Sequence, residues 1–357
     1  MKGLELAEPR GAQAIWLLLL ATIAGCDRPA VTLMTDLRGG APLLIAPYSD
    51  QKPVADLAAE DADLRGVSGL AASRAYADTL WAVSDTATKL FAIRVAANGV
   101  KVTATRVRGA DRFDWEDLAW FEDDGESFLM IADVGTNRQA STARRREGRE
   151  VAKLHVVREP RPGDKKVKTL RTITFELPCE LDRDIESVAV DSRRREVLIV
   201  EKRAAVKRLL VLDLDQDHHR PTAYDWTEIA LPDARPVEQR PDSAASTQRY
   251  ATAWRCNPTA LDLHDDQALL LTNRHAYVYE RQDGQSWPDS FASSPAQLRL
   301  PFSVELPGRP AQTLPAGATL VLPQREALCI TPDGASVFVA SEQRGAPGAW
   351  LVRLDHR

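Results

Sequence analysis

Short apolar runs recur along the chain in pairs, and a turn rich in Asp, Gly or Ser joins the two runs of each pair. The second run is heavy in Val, Ile, Leu or Phe and ends in polar or charged residues. The pairs lie at 66–86, 113–138, 184–203, 257–274 and 325–344. Each pair predicts a β-hairpin, and no segment shows the period of a long amphipathic helix.

A third apolar run follows most pairs, and a fourth can often be found after it. KLFAIRV and KVTATRV, for example, follow the first pair. Insertions near 138–150, 232–249 and 281–297 conceal the period of the repeat. Four-stranded antiparallel units repeated around a centre are typical of β-propellers. The predicted fold class is therefore all-β, a single β-propeller of five blades, with six blades as the alternative.

The last unit has only three predicted strands before the sequence ends at Arg357. An unpaired outer strand edge is a liability, so the missing strand should come from elsewhere in the chain. Two apolar segments near the N-terminus can supply it, VTLMTDL (31–37) and PLLIAPY (42–48). We therefore expect an N-terminal strand to close the ring.

The N-terminal segment AIWLLLLATIAGC is apolar but too short to span a bilayer. Its last four residues, Ile23 to Cys26, resemble the bacterial lipobox, which implies cleavage before Cys26 and lipidation of its thiol. An ordinary signal peptide or signal anchor is the alternative. The expected organisation is a signal peptide (1–25), a lipidated tether that includes the ring-closing strand (26–63) and the propeller (64–357).

The expected location is the cell envelope, on the periplasmic face, with contact to the membrane through the lipid anchor only. Asp27 resembles an inner-membrane retention signal and slightly favours that membrane. A net charge of -5, without a basic stripe interleaved with aromatic residues, argues against nucleic-acid binding. In an oxidising envelope Cys179 and Cys256 could form a disulfide, whereas Cys329 is expected to be a buried free thiol.

Aligning the five units by their first strands gives one column of polar residues. In a propeller these strands line the central axis, so the side chains should converge at one level. Three carboxylates at roughly 5 Å, with an effective dielectric near 20, would repel by about 10 kcal/mol in total. This repulsion must be offset by protonation of the glutamates, by a bound cation, or by the nearby Arg112, Arg183 and Arg325. An all-oxygen donor set favours Ca²⁺ on the axis. The predicted metal ligands are Ser68, Glu116, Glu186, Thr259 and Glu326.

A second column falls where the second strands end: Asp85, Asp133, Glu201, Asn273 and Glu342. Strands of matched length return the chain to the same mouth of the propeller. Lys202 and Arg274 follow this column directly and give the mouth a mixed charge. Such a lining is suited to a polar or anionic small ligand. The alternative is that these are ordinary solvated strand ends.

The run DWEDLAWF…FLMIADVGTNR, followed by a basic stretch and VAKLHVVREP, resembles the WED-[IL]-A…IGDN signature of uncharacterised bacterial propeller lipoproteins. These proteins are grouped with phytase-like and esterase-like propellers. The predicted five-unit plan with axial carboxylates is also similar to that of calcium-activated nucleotidases. Thr136 stands where the signature usually has Asp.

Two functions remain open at this point. The first is a calcium-dependent binding or scaffold module for a small polar ligand or an envelope protein. The second is a metal-dependent hydrolase of phosphate or other esters. In that case Asp133 or Glu201 would act as the base, and Arg274 or Lys202 would stabilise developing negative charge. Whether the chain is an enzyme is thus left undecided by its sequence.

Overall fold

The computed structural model describes residues 52–97, 99–135, 151–178, 184–204, 206–232, 256–298, 324–342 and 348–356. It also describes Leu300, Leu322 and the backbone of four short strands. Two short α-helices lie in this part of the chain, α1 (Leu57–Glu60) and α2 (Trp287–Phe291). Among the described residues, no helix is long and apolar enough to cross a membrane.

Strands make up most of the described residues. In chain order they are β1 (Leu33–Met34), β2 (Leu43–Ile45), β3 (Lys52–Asp56), β4 (Val67–Ala72), β5 (Thr79–Ser84), β6 (Ala87–Ala96), β7 (Gly99–Arg108), β8 (Trp115–Asp123), β9 (Glu126–Asp133), β10 (Val151–Arg158), β11 (Lys166–Glu176), β12 (Ile185–Asp191), β13 (Glu196–Glu201), β14 (Arg208–Asp213), β15 (His218–His219), β16 (Trp226–Glu228), β17 (Pro258–His264), β18 (Gln267–Thr272), β19 (Ala276–Glu280), β20 (Ala296–Leu298), β21 (Ser303–Glu305), β22 (Thr319–Val321), β23 (Arg325–Ile330), β24 (Ser336–Ser341) and β25 (Trp350–Asp355).

Four-stranded antiparallel units repeat through the described residues. They are β4–β7, β8–β11, β12–β14 with β16, β17–β20, and β23–β25 with β3. The first strands β4, β8, β12, β17 and β23 contact one another in this order, and β23 contacts β4 again. The units therefore surround a central axis, and the prediction of an all-β propeller is confirmed. Whether the whole chain has five blades or six stays a prediction.

An N-terminal strand completes the last unit, but it is not one of the two predicted segments. β3 pairs antiparallel with β25, and Ala55 lies opposite Leu351. The predicted segments were wrong, because β1 pairs with β2 and β2 pairs in parallel with β20. Apolar run length favoured those segments, whereas an outer strand needs few apolar residues and tolerates Pro53.

The first strand of every unit carries a register shift at its second residue. An extra residue at such a bulge bends the strand and re-aims its side chain. The shifted positions hold Ser68, Glu116, Glu186, Thr259 and Glu326. The column aligned from the sequence is thus a set of structurally equivalent positions.

The inner strands approach one another closely along the axis. A Cβ atom on Gly69 in β4 would lie 2.6 Å from the backbone nitrogen of Leu118 in β8. Between the blades, apolar side chains of neighbouring sheets pack into buried clusters; Trp81, Trp115 and Trp287 are each fully buried. Small residues on the axis and large ones between the sheets together allow the ring to close.

Several predictions concern residues outside the described ranges, namely Cys26, Asp27, Thr136, Cys179 and Arg183. Lipidation, the disulfide and the domain boundaries therefore stay predictions. Cys329 is a buried free thiol as predicted, and burial raises its pKa well above the usual value.

Candidate functional site

The buried ion pair between Glu186 and Lys202 lies at the centre of the candidate site. The Lys202 ammonium contacts Oε2 of Glu186, and the two residues are 7% and 6% exposed. Lys202 follows β13 directly, and its backbone amide donates to the Asp184 carbonyl at 2.9 Å. This bond fixes the lysine at the end of the strand, beside the bulge that carries Glu186.

Electrostatics tie Lys202 to all three predicted glutamates. Burial disfavours its ammonium form, but the charges of Glu186, Glu326 and Glu116 outweigh burial and raise the pKa of Lys202. Burial, followed by the charges of Glu186 and Asp114, raises the pKa of Glu116 well above its usual value. The glutamates therefore interact with one another and share a single lysine.

Burial is also the main reason that the pKa of Glu186 is raised well above its ordinary value. Lys202 opposes this rise, while Glu326 and Asp184 add to it. The raised pKa of Glu116 and Glu186 and the nearby Lys202 ammonium thus both oppose the repulsion that the sequence predicted.

The remaining ring positions have side-chain or carbonyl partners, with one exception. Oε1 of Glu326 accepts from Nδ2 of Asn273 at 3.4 Å and from Nε2 of Gln324. The Ser68 hydroxyl donates to the Trp115 carbonyl at 2.7 Å. Thr259 is fully buried, and its hydroxyl has no hydrogen-bond partner among the described residues. One polar group at this level of the axis is therefore left for another partner.

The arginines proposed as counter-charges take other roles. Nη1 of Arg325 donates to the Arg274 carbonyl at 3.1 Å, and burial lowers the pKa of Arg325 to about 10. Nη1 of Arg112 donates to the Asp85 carbonyl. The cation identified among the three glutamates is Lys202, which the sequence assigned to ligand binding.

The grouping of acidic side chains bears on the predicted calcium ion. No group of three or more His, Cys, Asp or Glu side chains there is arranged to hold a metal ion. An ammonium among the glutamates already supplies positive charge to this donor set. Calcium binding stays a prediction.

Strand register corrects the second predicted column. Trp115 pairs with Asp133, and Ile185 pairs with Glu201, whereas Val67, Pro258 and Arg325 pair with Ser84, Thr272 and Ser341. Asp133 and Glu201 are therefore one residue out of register with the rest of the column. Because side chains alternate between sheet faces, one residue is enough to redirect them. The positions equivalent by this register are Asp85, Lys202, Asn273 and Glu342. The second unit departs by one further residue, because there the amide of Gly135 donates to the Asp114 carbonyl at 3.2 Å.

Backbone hydrogen bonds support this corrected column. The amides of Asp85, Lys202, Asn273 and Glu342 donate to the carbonyls of Gly66, Asp184, Asn257 and Gln324 at 3.0, 2.9, 3.2 and 3.0 Å. Each bond joins the end of a second strand to the residue just before a first strand. Arg274, one residue further on, is exposed.

Asp133 and Glu201, the two predicted bases, contact groups within their own blades. Asp133 is fully buried and accepts from the backbone amide of Asp114 at 2.7 Å. Its Oδ2 lies 3.8 Å from Nε2 of His155 in the third strand of that unit. Glu201 is also fully buried, with Oε1 3.6 Å from Nη1 of Arg208. These carboxylates have structural surroundings, and their catalytic role stays a prediction.

Two aspartates on the inner strands, the fully buried Asp117 and the half-buried Asp262, were missed by the sequence reasoning. Asp117 accepts hydrogen bonds from amides on three first strands, and Asp262 accepts from amides on two. Both stand within apolar strands, WEDLAW and TALDLH. A charge inside a strand that is buried on both faces was the available signal.

Comparisons with known proteins give structural likeness only. No family model matches the chain, and no curated protein matches it. The chain is similar to a crystal structure of glutaminyl cyclase from Myxococcus xanthus, with a TM-score of 0.42 and 11% identity over 87% of this chain and 97% of that chain. It is also similar to a structure of a nidogen/laminin complex, with a TM-score of 0.35 and 10% identity over 77% of this chain and 72% of that chain. Neither similarity carries a function to this protein.

Proposed function

We propose that this chain is a lipid-anchored envelope protein whose propeller binds a small ligand at the axial mouth through a cationic group, a primary ammonium or a guanidinium. The observation that carries the proposal is the convergence of Glu116, Glu186 and Glu326 on the single ammonium of Lys202. These residues come from distant parts of the sequence and meet only in the folded ring.

The charge balance at the mouth favours a cationic ligand over the anionic one that the sequence suggested. Asp114 and Asp184 add to the field of the three glutamates. Among the described residues, Lys202 contacts Glu186 and Arg203 pairs with Asp184. Burial and neighbouring carboxylates raise the pKa of Glu116 and Glu186, and a bound cation would relieve the repulsion between these carboxylates.

Thr259 supports the same interpretation independently of charge. It occupies the bulge position between those of Glu186 in the preceding first strand and Glu326 in the following one. A buried hydroxyl without a partner is unfavourable, and a ligand N–H donor would satisfy it. This hydrogen bond would orient the ligand in a site that otherwise attracts it by charge alone.

Gly135 keeps space open beside Glu116. A Cβ atom at this position would lie 2.6 Å from Oδ2 of Asp114 and would also collide with Oε1 of Glu116. Any side chain here would displace these two acceptors. Glycine at this position therefore preserves the acidic lining.

The alternative functions have less support in the geometry. A calcium-dependent version of the site remains a prediction that direct titration would test. The ester-hydrolase alternative needs Asp133 or Glu201 at the mouth, and both have partners within their blades.

Thermal unfolding of the full-length chain in detergent tests the binding proposal. Small primary amines and guanidinium compounds should raise the melting temperature, whereas phosphate esters should not. Glu186→Gln should weaken this effect about tenfold, because a charge-assisted hydrogen bond becomes a neutral one. Glu196→Gln, at the other end of the same hairpin, is the matched control and should leave it unchanged.

Three results would count against this proposal in different ways. Stabilisation by phosphate esters alone would restore the anionic interpretation, and stabilisation by calcium alone would favour the metal site. No response to any of these probes would remove the ligand site. The anchor is tested separately, since labelled fatty acid should be incorporated into the wild type and not into Cys26→Ser.

A further inference from the structure

The outer strands of the first two units join in a way that the repeat does not require. β7 and β11 pair in parallel and merge these two units, together with β15 beside β11, into one nine-stranded sheet. The amide of Arg106 also donates to the Lys165 carbonyl at 3.1 Å, and the Thr105 hydroxyl donates to the Asp164 carbonyl at 2.6 Å. The junction is therefore held by backbone acceptors.

Like charges face each other across this junction. Arg106 lies opposite Lys166, and Arg108 lies opposite Lys168. Paired residues project from the same face of a sheet, and all four of these side chains are exposed. None of the four has an ion-pair partner among the described residues. Directly opposed like charges destabilise a sheet, so the arrangement calls for an anionic partner.

One acidic side chain near this face is already paired. On the other side of β7, Lys89 lies opposite Arg106 and forms an ion pair with Asp63 at 2.6 Å. The row Lys89, Arg106 and Lys166 thus crosses three neighbouring strands. Asp63 neutralises Lys89, whereas Arg106 and Lys166 have no ion-pair partner in the described part of the chain.

An exposed apolar residue adjoins the cations. Leu170 is 57% exposed and lies two residues beyond Lys168, where the register between β10 and β11 shifts by one residue. Lysines flanking an exposed leucine are suited to a boundary between phosphate groups and acyl chains. Nucleic acid would match the charges but would offer nothing to the leucine.

We propose that this face, defined by Arg106, Arg108, Lys166, Lys168 and Leu170, binds anionic phospholipid at the membrane surface. The four cations contact headgroup phosphates, and Leu170 enters the interface below them. Because the face belongs to outer strands, it holds the rim of the propeller against the bilayer. This contact is additional to the predicted lipid anchor and does not depend on the ligand proposed for the axial mouth.

Vesicle co-sedimentation of the full chain tests the inference, with Cys26→Ser introduced so that no acyl chain contributes. Binding to phosphatidylglycerol mixed with phosphatidylcholine should exceed binding to phosphatidylcholine alone and should fall with added salt. Lys166→Glu combined with Lys168→Glu should weaken binding about 30-fold or more, since each basic residue near such a surface contributes about 1 kcal/mol.

The charge reversals cannot act by unfolding the protein, because each converts an opposed pair of cations into an ion pair. Their melting temperature should equal or exceed that of the parent. Arg193→Glu combined with Arg220→Glu is the matched control, since it makes the same change in net charge at exposed sites elsewhere. This control should retain most of the binding.

Equal losses in the two double variants would overturn the proposal, because net charge alone would then explain the binding. Equal binding to neutral and anionic vesicles would overturn it as well. Binding of duplex DNA that depends on Lys166 and Lys168, without binding to vesicles, would assign the face to nucleic acid instead. Leu170→Ser should weaken vesicle binding to a smaller degree and leave its salt dependence unchanged.

Discussion

Two groups of carboxylates lie along the axis of this propeller and have different partners. In the interior, Oδ2 of Asp117 accepts from the amides of Val188 at 2.8 Å and Leu261 at 3.1 Å, while Oδ1 accepts from Leu118 at 2.8 Å. At the mouth, Glu186 contacts the side chain of Lys202. The first group is bound to the backbone and the second to other charges.

The interior aspartates link first strands that do not form a ladder with one another. Asp117 connects β8 to β12 and β17, and Oδ2 of Asp262 accepts from the amide of Ile330 in β23 at 2.8 Å. Inner-strand amides that face the axis would otherwise lack acceptors. These carboxylates have a structural role that their backbone partners define.

The glutamates at the mouth have no comparable structural task. Glu186 contacts Lys202, and Glu326 accepts from Asn273 and Gln324. Burial and the charges of neighbouring carboxylates raise the pKa of Glu116 and Glu186. A carboxylate held in this way is available to a new cation, whereas one that accepts from amides is already satisfied. Backbone amides as partners mark the two aspartates as structural, whereas charged and polar side chains as partners mark the glutamates as a candidate binding site.

The largest effect should come from removing Asp117. Asp117→Ala leaves three buried amides without their acceptor, and each such loss costs about 1–3 kcal/mol. We expect the free energy of unfolding to fall by about 5 kcal/mol, measured by denaturant titration.

Glu326→Ala is the control for that measurement at the mouth. Its carboxylate accepts from the partly exposed Gln324 and from Asn273, whose amide also donates to the Arg325 carbonyl, so the loss should stay below about 1 kcal/mol. If Asp117→Ala and Glu326→Ala lowered the free energy of unfolding by similar amounts, the distinction between structural aspartates and glutamates at the mouth would be wrong.

Removing the central cation should have the next largest effect. Lys202→Met leaves the glutamates without their shared ammonium and should cost about 3 kcal/mol at pH 8. At pH 5 the loss should be smaller, because the carboxylates can take up protons instead. Melting curves at the two pH values measure this difference.

Lys207 is a second buried lysine, and two neutral groups accept from its ammonium. Its ammonium donates to the Lys202 carbonyl and to Oδ1 of Asn257 at 3.1 Å. Lys207→Met should therefore destabilise the fold by a similar amount at both pH values. If Lys202→Met is equally insensitive to pH, the glutamates do not share its charge.

The smallest effect concerns the pH dependence of stability. The pKa of Glu116 is raised above its usual 4.5 in the folded state, so the folded chain binds the proton more tightly than the unfolded chain. The stability contributed by this proton is complete below the unfolded pKa and is lost as the pH rises through the folded pKa.

Glu116→Gln should remove the decrease in stability that ionisation of Glu116 causes as the pH rises. The variant should match the wild type near pH 4 and exceed it at pH 8, by on the order of 1 kcal/mol after allowance for screening at the partly exposed mouth. Thermal melts across this range measure the gap. A variant that is less stable at pH 8 would mean that Glu116 is favourably paired.

The axial column was predictable because a repeat makes distant residues comparable. Each first strand begins with the same bulge, so Glu116, Glu186 and Glu326 could be aligned without a structure. The second column was less predictable. Loops of different length separate the strands, so the alignment by sequence was wrong by one residue in two units. It placed Asp133 and Glu201 in a column to which they do not belong.

By itself, the sequence determined the all-β class, the repeated unit and the glutamates at equivalent positions, because hydrophobic period and turn residues are local properties. Only the tertiary structure decided which cation meets those glutamates, which strand closes the ring and which cations form the basic face. Arg106 and Lys166 are sixty residues apart, and each strand supplies only two of the four cations. Each of these contacts depends on strand register and on pairing between blades, which local pattern does not encode.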